Sequence, residues 1–160
     1  MQIVIAADHA GYPLKEFLKE ELTKQGHGVE DMGTFSSASS DYPDFARKAA
    51  EAVARGDFPL GIVICGTGIG VSITANKVPG IRAALCNELY SAQLAREHNN
   101  ANILAMGSRI IGLHLALRIA ETFISSTYSG GRHAQRLDKI QGLESHYNKH
   151  YNKENTGSSF

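Results

Sequence analysis

Gly61-Ile62-Val63-Ile64-Cys65-Gly66-Thr67-Gly68-Ile69-Gly70 is the stretch whose reading decides the fold. Leu60 to Cys65 is a short, uninterrupted apolar run, the pattern of a strand buried on both faces. Three glycines at alternate positions follow, and a helical stretch from Val71 to Val78 begins at once. Glycines at that spacing let the backbone pass close to a ligand and aim several N–H groups at it. The start of the following helix adds partial positive charge. Two readings of the loop stand side by side, an anion site and a plain tight turn. Cys65, at its rim, is placed to act as a base or nucleophile, yet a free cysteine is also often a small buried hydrophobe. The loop is not a P-loop, because no Gly-Lys-Ser/Thr follows. Nor is it a dinucleotide fingerprint, since Val71 and Ile73 stand where the final glycine would be needed.

The same alternation extends in both directions. Gln2 to Ala7 reads as a buried strand, and Pro13 to Gln25 as a helix with Leu14, Phe17, Leu18 and Leu22 on one face. His27 to Met32 reads as a second strand. After a polar loop at Ser36 to Ser40, Asp41 caps a helix that has Pro43 in its first turn and runs to Arg55. Beyond the glycine loop, Ile81 to Cys86 is a fourth strand, Glu88 to His98 a helix, Asn102 to Met106 a fifth strand and Gly112 to Ser125 a helix. Gly130-Gly131 breaks the chain before a last helix from His133 to Tyr151. Strands alternating with helices imply a parallel sheet covered on both faces. Residues 1–152 read as one domain and 153–160 as a disordered tail.

Composition narrows the function classes. A chain of 160 residues is one domain's length. Lys plus Arg and Asp plus Glu number 16 each, so no broad basic surface for nucleic acid or membrane is expected. Two cysteines, Cys65 and Cys86, are too few for a disulfide scaffold and suit reduced thiols in the cytoplasm. The N-terminus lacks a basic leader, and no apolar run is long enough for a membrane helix.

Ligands of parallel α/β sheets bind beyond the carboxyl ends of the strands. Those ends carry Asp8-His9, Cys65 with its loop, Cys86-Asn87 and Gly107-Ser108-Arg109. His98-Asn99-Asn100 closes a helix, where asparagines cap and a histidine either caps or shuttles a proton. Arg132 and Arg136 share one helical face and can hold a phosphate or form a solvated basic face. Their position at a helix start opposes the helix dipole, which tilts the reading toward function. No histidine or cysteine spacing has metal-site logic, His146 and His150 included.

Taken together, several stretches resemble the type B ribose-5-phosphate isomerases, in the family that also contains galactose-6-phosphate isomerase subunits. They are Ala7-Asp8-His9-Ala10-Gly11, Asp41-Tyr42-Pro43, Ile64-Cys65-Gly66-Thr67-Gly68-Ile69-Gly70, Ala75-Asn76-Lys77-Val78-Pro79-Gly80-Ile81-Arg82-Ala83, Ala95-Arg96-Glu97-His98-Asn99-Asn100-Ala101-Asn102, Gly107-Ser108-Arg109 and Gly130-Gly131-Arg132-His133. They stand in family order over residues 1–147.

The resemblance implies a Rossmann-like three-layer α/β sandwich with a five-stranded parallel sheet and a C-terminal helix. It implies a homodimer or a homotetramer, with active sites at the dimer interface. The implied reaction interconverts ribose 5-phosphate and ribulose 5-phosphate without a metal or organic cofactor, in the non-oxidative pentose phosphate pathway. One branch of the family uses a cysteine before the glycine loop as base and another a glutamate just after it. Cys65 is present and Val71 occupies the glutamate position, so this chain resembles the cysteine branch. By the same resemblance His98 opens the sugar ring with help from Thr67. Asp8, His9, Tyr42, Gly66, Gly68, Ile69, Gly70 and Asn99 contact the sugar, while Arg109, Arg132 and Arg136 take the phosphate. The rivals are an isomerase of a six-carbon phosphate, allose or galactose 6-phosphate, and a non-catalytic sugar-phosphate-binding module.

Overall fold

The computed structural model describes residues 1–155, with side chains to residue 149. It divides into two compact units, Met1–Tyr128 and a second that begins at Ser129. In the first, β1 (Gln2–Ala7), α1 (Tyr12–Lys24), β2 (Gly28–Asp31), α2 (Tyr42–Ala54), β3 (Leu60–Cys65), α3 (Ile69–Ala75), β4 (Ala83–Leu85), α4 (Leu89–Asn99), β5 (Ile103–Gly107) and α5 (Leu113–Ser125) follow one another. The second consists of α6 (Arg132–Asn155) and its leading turn.

The five strands form one parallel sheet in the order β2-β1-β3-β5-β4. Period-2 alternation sorts their side chains into two cores. Ile3, Ile5, Ile62, Ile64, Leu104 and Met106 pack on one face with Leu14, Leu18 and Leu22 of α1 and with apolar residues of α4 and α5. Val4, Ala6, Val63, Cys65, Ile103 and Ala105 face α2 and α3. The helices of that second face approach through alanines, Ala46, Ala49, Ala50 and Ala75, so they lie close to the sheet. This is the Rossmann-like arrangement expected. From β1 the chain moves outward to β2 and then returns to β3 on the other side of β1. The carboxyl ends of β1 and β3 therefore flank the crevice where the strand order reverses.

Several boundaries differ from the sequence reading. The helix after the glycine loop starts at Ile69 rather than Val71 and ends at Ala75, because Gly68 takes the N-cap position. The fourth strand keeps only Ala83–Leu85. Arg82 is drawn into a loop-to-loop exchange, its N–H donating to Asn102 Oδ1 at 2.8 Å and its carbonyl accepting from Asn102 N–H at 3.0 Å. Asp41 does occupy the N-cap of α2, but its side chain caps nothing. Glu88 supplies side-chain capping instead, accepting from the N–H groups of Tyr90 and Ser91 at the start of α4. α6 runs to Asn155, past the expected end at Tyr151, and residues 156–160 of the expected tail lie outside the described residues.

Candidate active site

β3 delivers Cys65 to the crevice, and the loop after it is shaped by Gly68. Gly68 adopts φ +79°, left-handed backbone that favours glycine. A Cβ there would lie 2.7 Å from the Met106 carbonyl carbon and 2.5 Å from Leu85 Cδ1. In this conformation the Gly68 N–H points back and donates to Cys65 Sγ at 3.1 Å. The Thr67 hydroxyl oxygen accepts from Ile69 N–H at 3.3 Å. The loop thus presents oriented donors, and those of the first turn of α3 have no partner within the helix itself. With seven residues in α3, these local N–H groups outweigh any long helix dipole.

The neighbouring strand ends lock onto this loop. Ser108 N–H donates to the Cys65 carbonyl at 2.9 Å and Arg109 N–H to the Gly66 carbonyl at 3.0 Å. The Arg109 side chain lies over Gly66, whose added Cβ would sit 3.5 Å from its guanidinium. Ser108 Oγ donates to the Ala10 carbonyl at 2.8 Å, tying the end of β5 to the end of β1. There, buried Asp8 accepts from Gly11 N–H at 2.9 Å. Gly11 has its own reason to be glycine, since a Cβ would meet the Ile64 carbonyl at 2.8 Å.

The result is an open cleft of about 500 Å³ lined by Asp8, His9, Ala10, Tyr42, Cys65, Gly66, Thr67, Ile69, Gly70, Ile73 and Arg109. The Tyr42 ring lies against Gly70, 2.6 Å from where a Cβ would be, so it closes one wall only because residue 70 has no side chain. Ala10 and Ile73 were not foreseen. Ile73 follows Ile69 by one helical turn, so the exposed apolar pair was the available signal.

Of the expected residues, Gly68, His98, Asn99, Arg132 and Arg136 do not line this cleft. His98 and Asn99 end α4, immediately before β5 begins. Gly61 N–H donates to the Asn102 carbonyl, and Gly61 pairs with Ile103, whereas Cys65 pairs with Gly107. Along a parallel strand at roughly 3.3 Å per residue, that puts His98 and Cys65 at opposite ends of the sheet, some ~13 Å apart along the strand direction alone. Arg82 braces that distant end, its Nε donating to the carbonyls of Asn99 at 3.1 Å and Asn100 at 2.9 Å. Arg132 and Arg136 stand exposed on α6 in the second unit.

Cys86 is the chemical contrast to Cys65. It packs in the opposite core, and burial pushes its thiol above the ordinary range, with Glu88 adding to the rise. Among the described residues, no group of three or more His, Cys, Asp or Glu is placed to hold a metal ion, and no helix is long and apolar enough to cross a membrane.

Residues 3–140 match the family described as Ribose/Galactose Isomerase. The chain is 48% identical over 147 residues to ribose-5-phosphate isomerase B of Escherichia coli (strain K12), an overlap of 92% of this chain and 99% of that protein. Its structure resembles Clostridium thermocellum ribose-5-phosphate isomerase B, with a TM-score of 0.91 at 54% identity, over 92% of this chain and 99% of that one. It also resembles the Mycoplasma genitalium ribose-5-phosphate isomerase B with bound ribulose-5-phosphate, with a TM-score of 0.85 at 43% identity, over 90% of this chain and 96% of that one.

Proposed function

The chain belongs to the ribose/galactose isomerase family, and from that premise we propose that it interconverts ribose 5-phosphate and ribulose 5-phosphate with Cys65 as the catalytic base. The observation that carries this reading is the Gly68 N–H directed at Cys65 Sγ at the mouth of a sugar-sized cleft.

The substrate is mostly a closed furanose, so its ring opens first, with His98 moving the proton and Thr67 assisting. The Cys65 thiolate then removes the proton from C2 of the aldose. The electron pair becomes the C1–C2 double bond of a cis-enediolate, and the carbonyl oxygen takes the negative charge. Loop N–H groups from Gly66 to Gly70 are the donors for that oxygen, as in an oxyanion hole. A proton passes from the C2 hydroxyl to the C1 oxygen, and return of the carbon-bound proton at C1 then gives the ketose. Asp8, His9, Tyr42 and Asn99 hold the sugar hydroxyls. Arg109, Arg132 and Arg136 hold the phosphate, whose remote binding energy positions the reacting carbons. No cofactor takes part in these steps.

A single chain separates Cys65 from His98, so the working unit is a homodimer in which His98 and Asn99 of the partner subunit enter each cleft. Exposed Ile69, Ile73, Leu85 and Ile110 beside the glycine loop suit such a contact. Residues 1–152 act as one isomerase domain, since the family match at 3–140 runs across the boundary between the two units. The two free cysteines suit a reducing, cytoplasmic setting.

The test is coupled turnover of ribose 5-phosphate beside allose 6-phosphate and galactose 6-phosphate, with EDTA present. Preference for the five-carbon sugar without metal is the expected result. Preference for a six-carbon sugar would reassign the substrate, and no turnover on any would leave a binding module.

A further inference from the structure

The turn that carries His98 and Asn99 is held by two arginines for which the reaction has no direct use. α4 ends at Asn99, and Asn100 takes the cap position at φ 44° and ψ 41°. Asn100 is the one non-glycine residue among those described with a positive φ. Asparagine visits that backbone more readily than most side chains, though not freely. The last carbonyls of a helix have no partner within it, and here side chains take them. Arg82 Nε donates to the Asn99 carbonyl at 3.1 Å and to the Asn100 carbonyl at 2.9 Å. Arg96 Nη1 donates to the Ala101 carbonyl at 2.5 Å and to Asn100 Oδ1 at 3.1 Å.

Both arginines are themselves fixed. The Arg82 N–H donates to Asn102 Oδ1 at 2.8 Å, and Asn102 Nδ2 donates to the Gly80 carbonyl at 3.0 Å, so the loop before β4 is tied to the start of β5. The Arg96 guanidinium lies over the Phe123 ring, 5.7 Å from its centre. Burial, and then the like charge of Arg82, push Arg96 below its ordinary range. Two cations are thus brought together at one helix end. The negative end of α4 offsets part of their repulsion; a local conflict of this kind is expected where function requires it.

The function in question is alignment. In the two-subunit site His98 works across the subunit boundary, so its position relative to the cleft depends on the backbone turn it stands on. Helix ends fray, and proton transfer tolerates little displacement. We propose that Arg82, with Arg96 beside it, is a positioning residue for ring opening: it locks the left-handed turn at Asn100 and so holds His98 in register with the cleft of the other subunit. The inference rests on the isomerase reading above, with His98 acting across the interface. Neither arginine touches the sugar, and the proton stays with His98.

Two substitutions isolate the hydrogen bond. Arg82→Met keeps the aliphatic stem and has no donor. Arg82→Gln places an amide nitrogen where Nε lies, able to donate to both carbonyls without the charge. Arg82→Met is expected to lose about 10²-fold in kcat on ribose 5-phosphate, and Arg82→Gln to regain about tenfold of that. No loss in Arg82→Met, or equal losses in the two variants, overturns the inference.

A role confined to the His98 turn also fixes which partner restores activity in heterodimers purified through two different tags. Paired with Cys65→Ala, Arg82→Met leaves one cleft with both halves wild type, and about half of wild-type turnover is expected. Paired with His98→Asn, both clefts carry a defect in the His98 half, and no gain over the Arg82→Met homodimer is expected. Recovery with His98→Asn would place the defect at the chain's own Cys65 loop, and recovery with neither would make Arg82 a residue of general stability; each overturns the inference. Should Arg82→Met fold poorly, Arg96→Met is read in the same two pairings, with the same pattern expected. Cys65→Ala paired with His98→Asn is the control. Its failure, or absent wild-type turnover, rejects the reading on which the inference rests, whereas its success beside the wrong pattern for Arg82→Met rejects this inference alone.

Discussion

The Gly68 N–H donates to Cys65 Sγ across 3.1 Å, so the backbone conformation of one residue and the chemistry of another are a single feature. A thiolate there keeps its donor without any side chain moving. Cys65→Ala and Cys65→Ser are both expected to lose about 10²–10⁴-fold or more in turnover, the serine because its hydroxyl is too weak a base. Thermal unfolding should shift little, since Sγ fills a small part of the core. Near wild-type turnover in either variant would reject Cys65 as the base. Iodoacetamide should inactivate the enzyme at Cys65, with ribose 5-phosphate protecting, while Cys86 reacts more slowly because burial holds it as a thiol. Peptide mapping of the alkylated protein checks the order.

The two glycines that follow fail differently when substituted. At Gly68 an alanine meets backbone and holds a positive φ, so Gly68→Ala should destabilise by roughly 1–3 kcal/mol and reduce turnover together. At Gly70 the three atoms nearest an added Cβ all belong to the Tyr42 side chain. Gly70→Ala should keep its melting temperature and raise KM by about tenfold as the ring swings away. Denaturation curves and steady-state kinetics on the two variants separate the cases, and equal stability losses would show that the Tyr42 wall cannot move.

The separation of Cys65 from His98 makes a prediction about mixtures. Cys65→Ala and His98→Asn should each be inactive alone on the cyclic substrate. In a heterodimer of the two, one cleft carries both defects and the other carries none. Random re-pairing should therefore restore about a quarter of wild-type activity. No recovery, with heterodimers verified by mass, would place His98 and Cys65 of the same chain in one site and contradict the strand register.

Much of this was legible before any coordinates. β3 and the loop after it were plain because an all-apolar run followed by spaced glycines has few alternatives, and β1 fell at the same residues expected for it. Less legible were features that depend on distant partners. β4 is three residues long because Arg82 pairs with Asn102, twenty positions away, and no local pattern announces that. Asp41 has the right residue type for a cap, yet its side chain makes none. Ser40 looked like one of several polar loop residues, since its partner His9 is reached only through the tertiary fold. The spacing of His98 from Cys65 in sequence gave no hint that they mark opposite ends of the sheet; that follows from the parallel register of β3 and β5.

The last prediction concerns acid stability. Lys15 is fully buried and pairs with Asp31 and Glu16, while Lys19 reaches the same Asp31 oxygen at 2.7 Å. The other Asp31 oxygen accepts from Gly33 N–H at 2.9 Å. Burial alone would raise the Asp31 carboxyl, but the hydrogen bonds from Lys15, Lys19 and Gly33 outweigh it and hold it below the usual range. Glu16 is likewise held low by the same lysines against a desolvation effect. A carboxylate with a depressed folded-state value contributes stability above its unfolded value and loses it as pH falls through the folded one. Unfolding free energy should therefore decline below about pH 4, the ordinary carboxylate range. Asp31→Asn should flatten that decline and, at neutral pH, cost about 3–5 kcal/mol, because it leaves the Lys15 ammonium buried with a weaker partner. Replacing both members, Lys15→Met with Asp31→Leu, should recover much of the loss, since no buried charge remains to be compensated. Urea titrations of the three proteins between pH 2 and pH 7 supply the measurement. An unchanged acid slope in Asp31→Asn would assign the acid sensitivity to carboxylates outside this cluster.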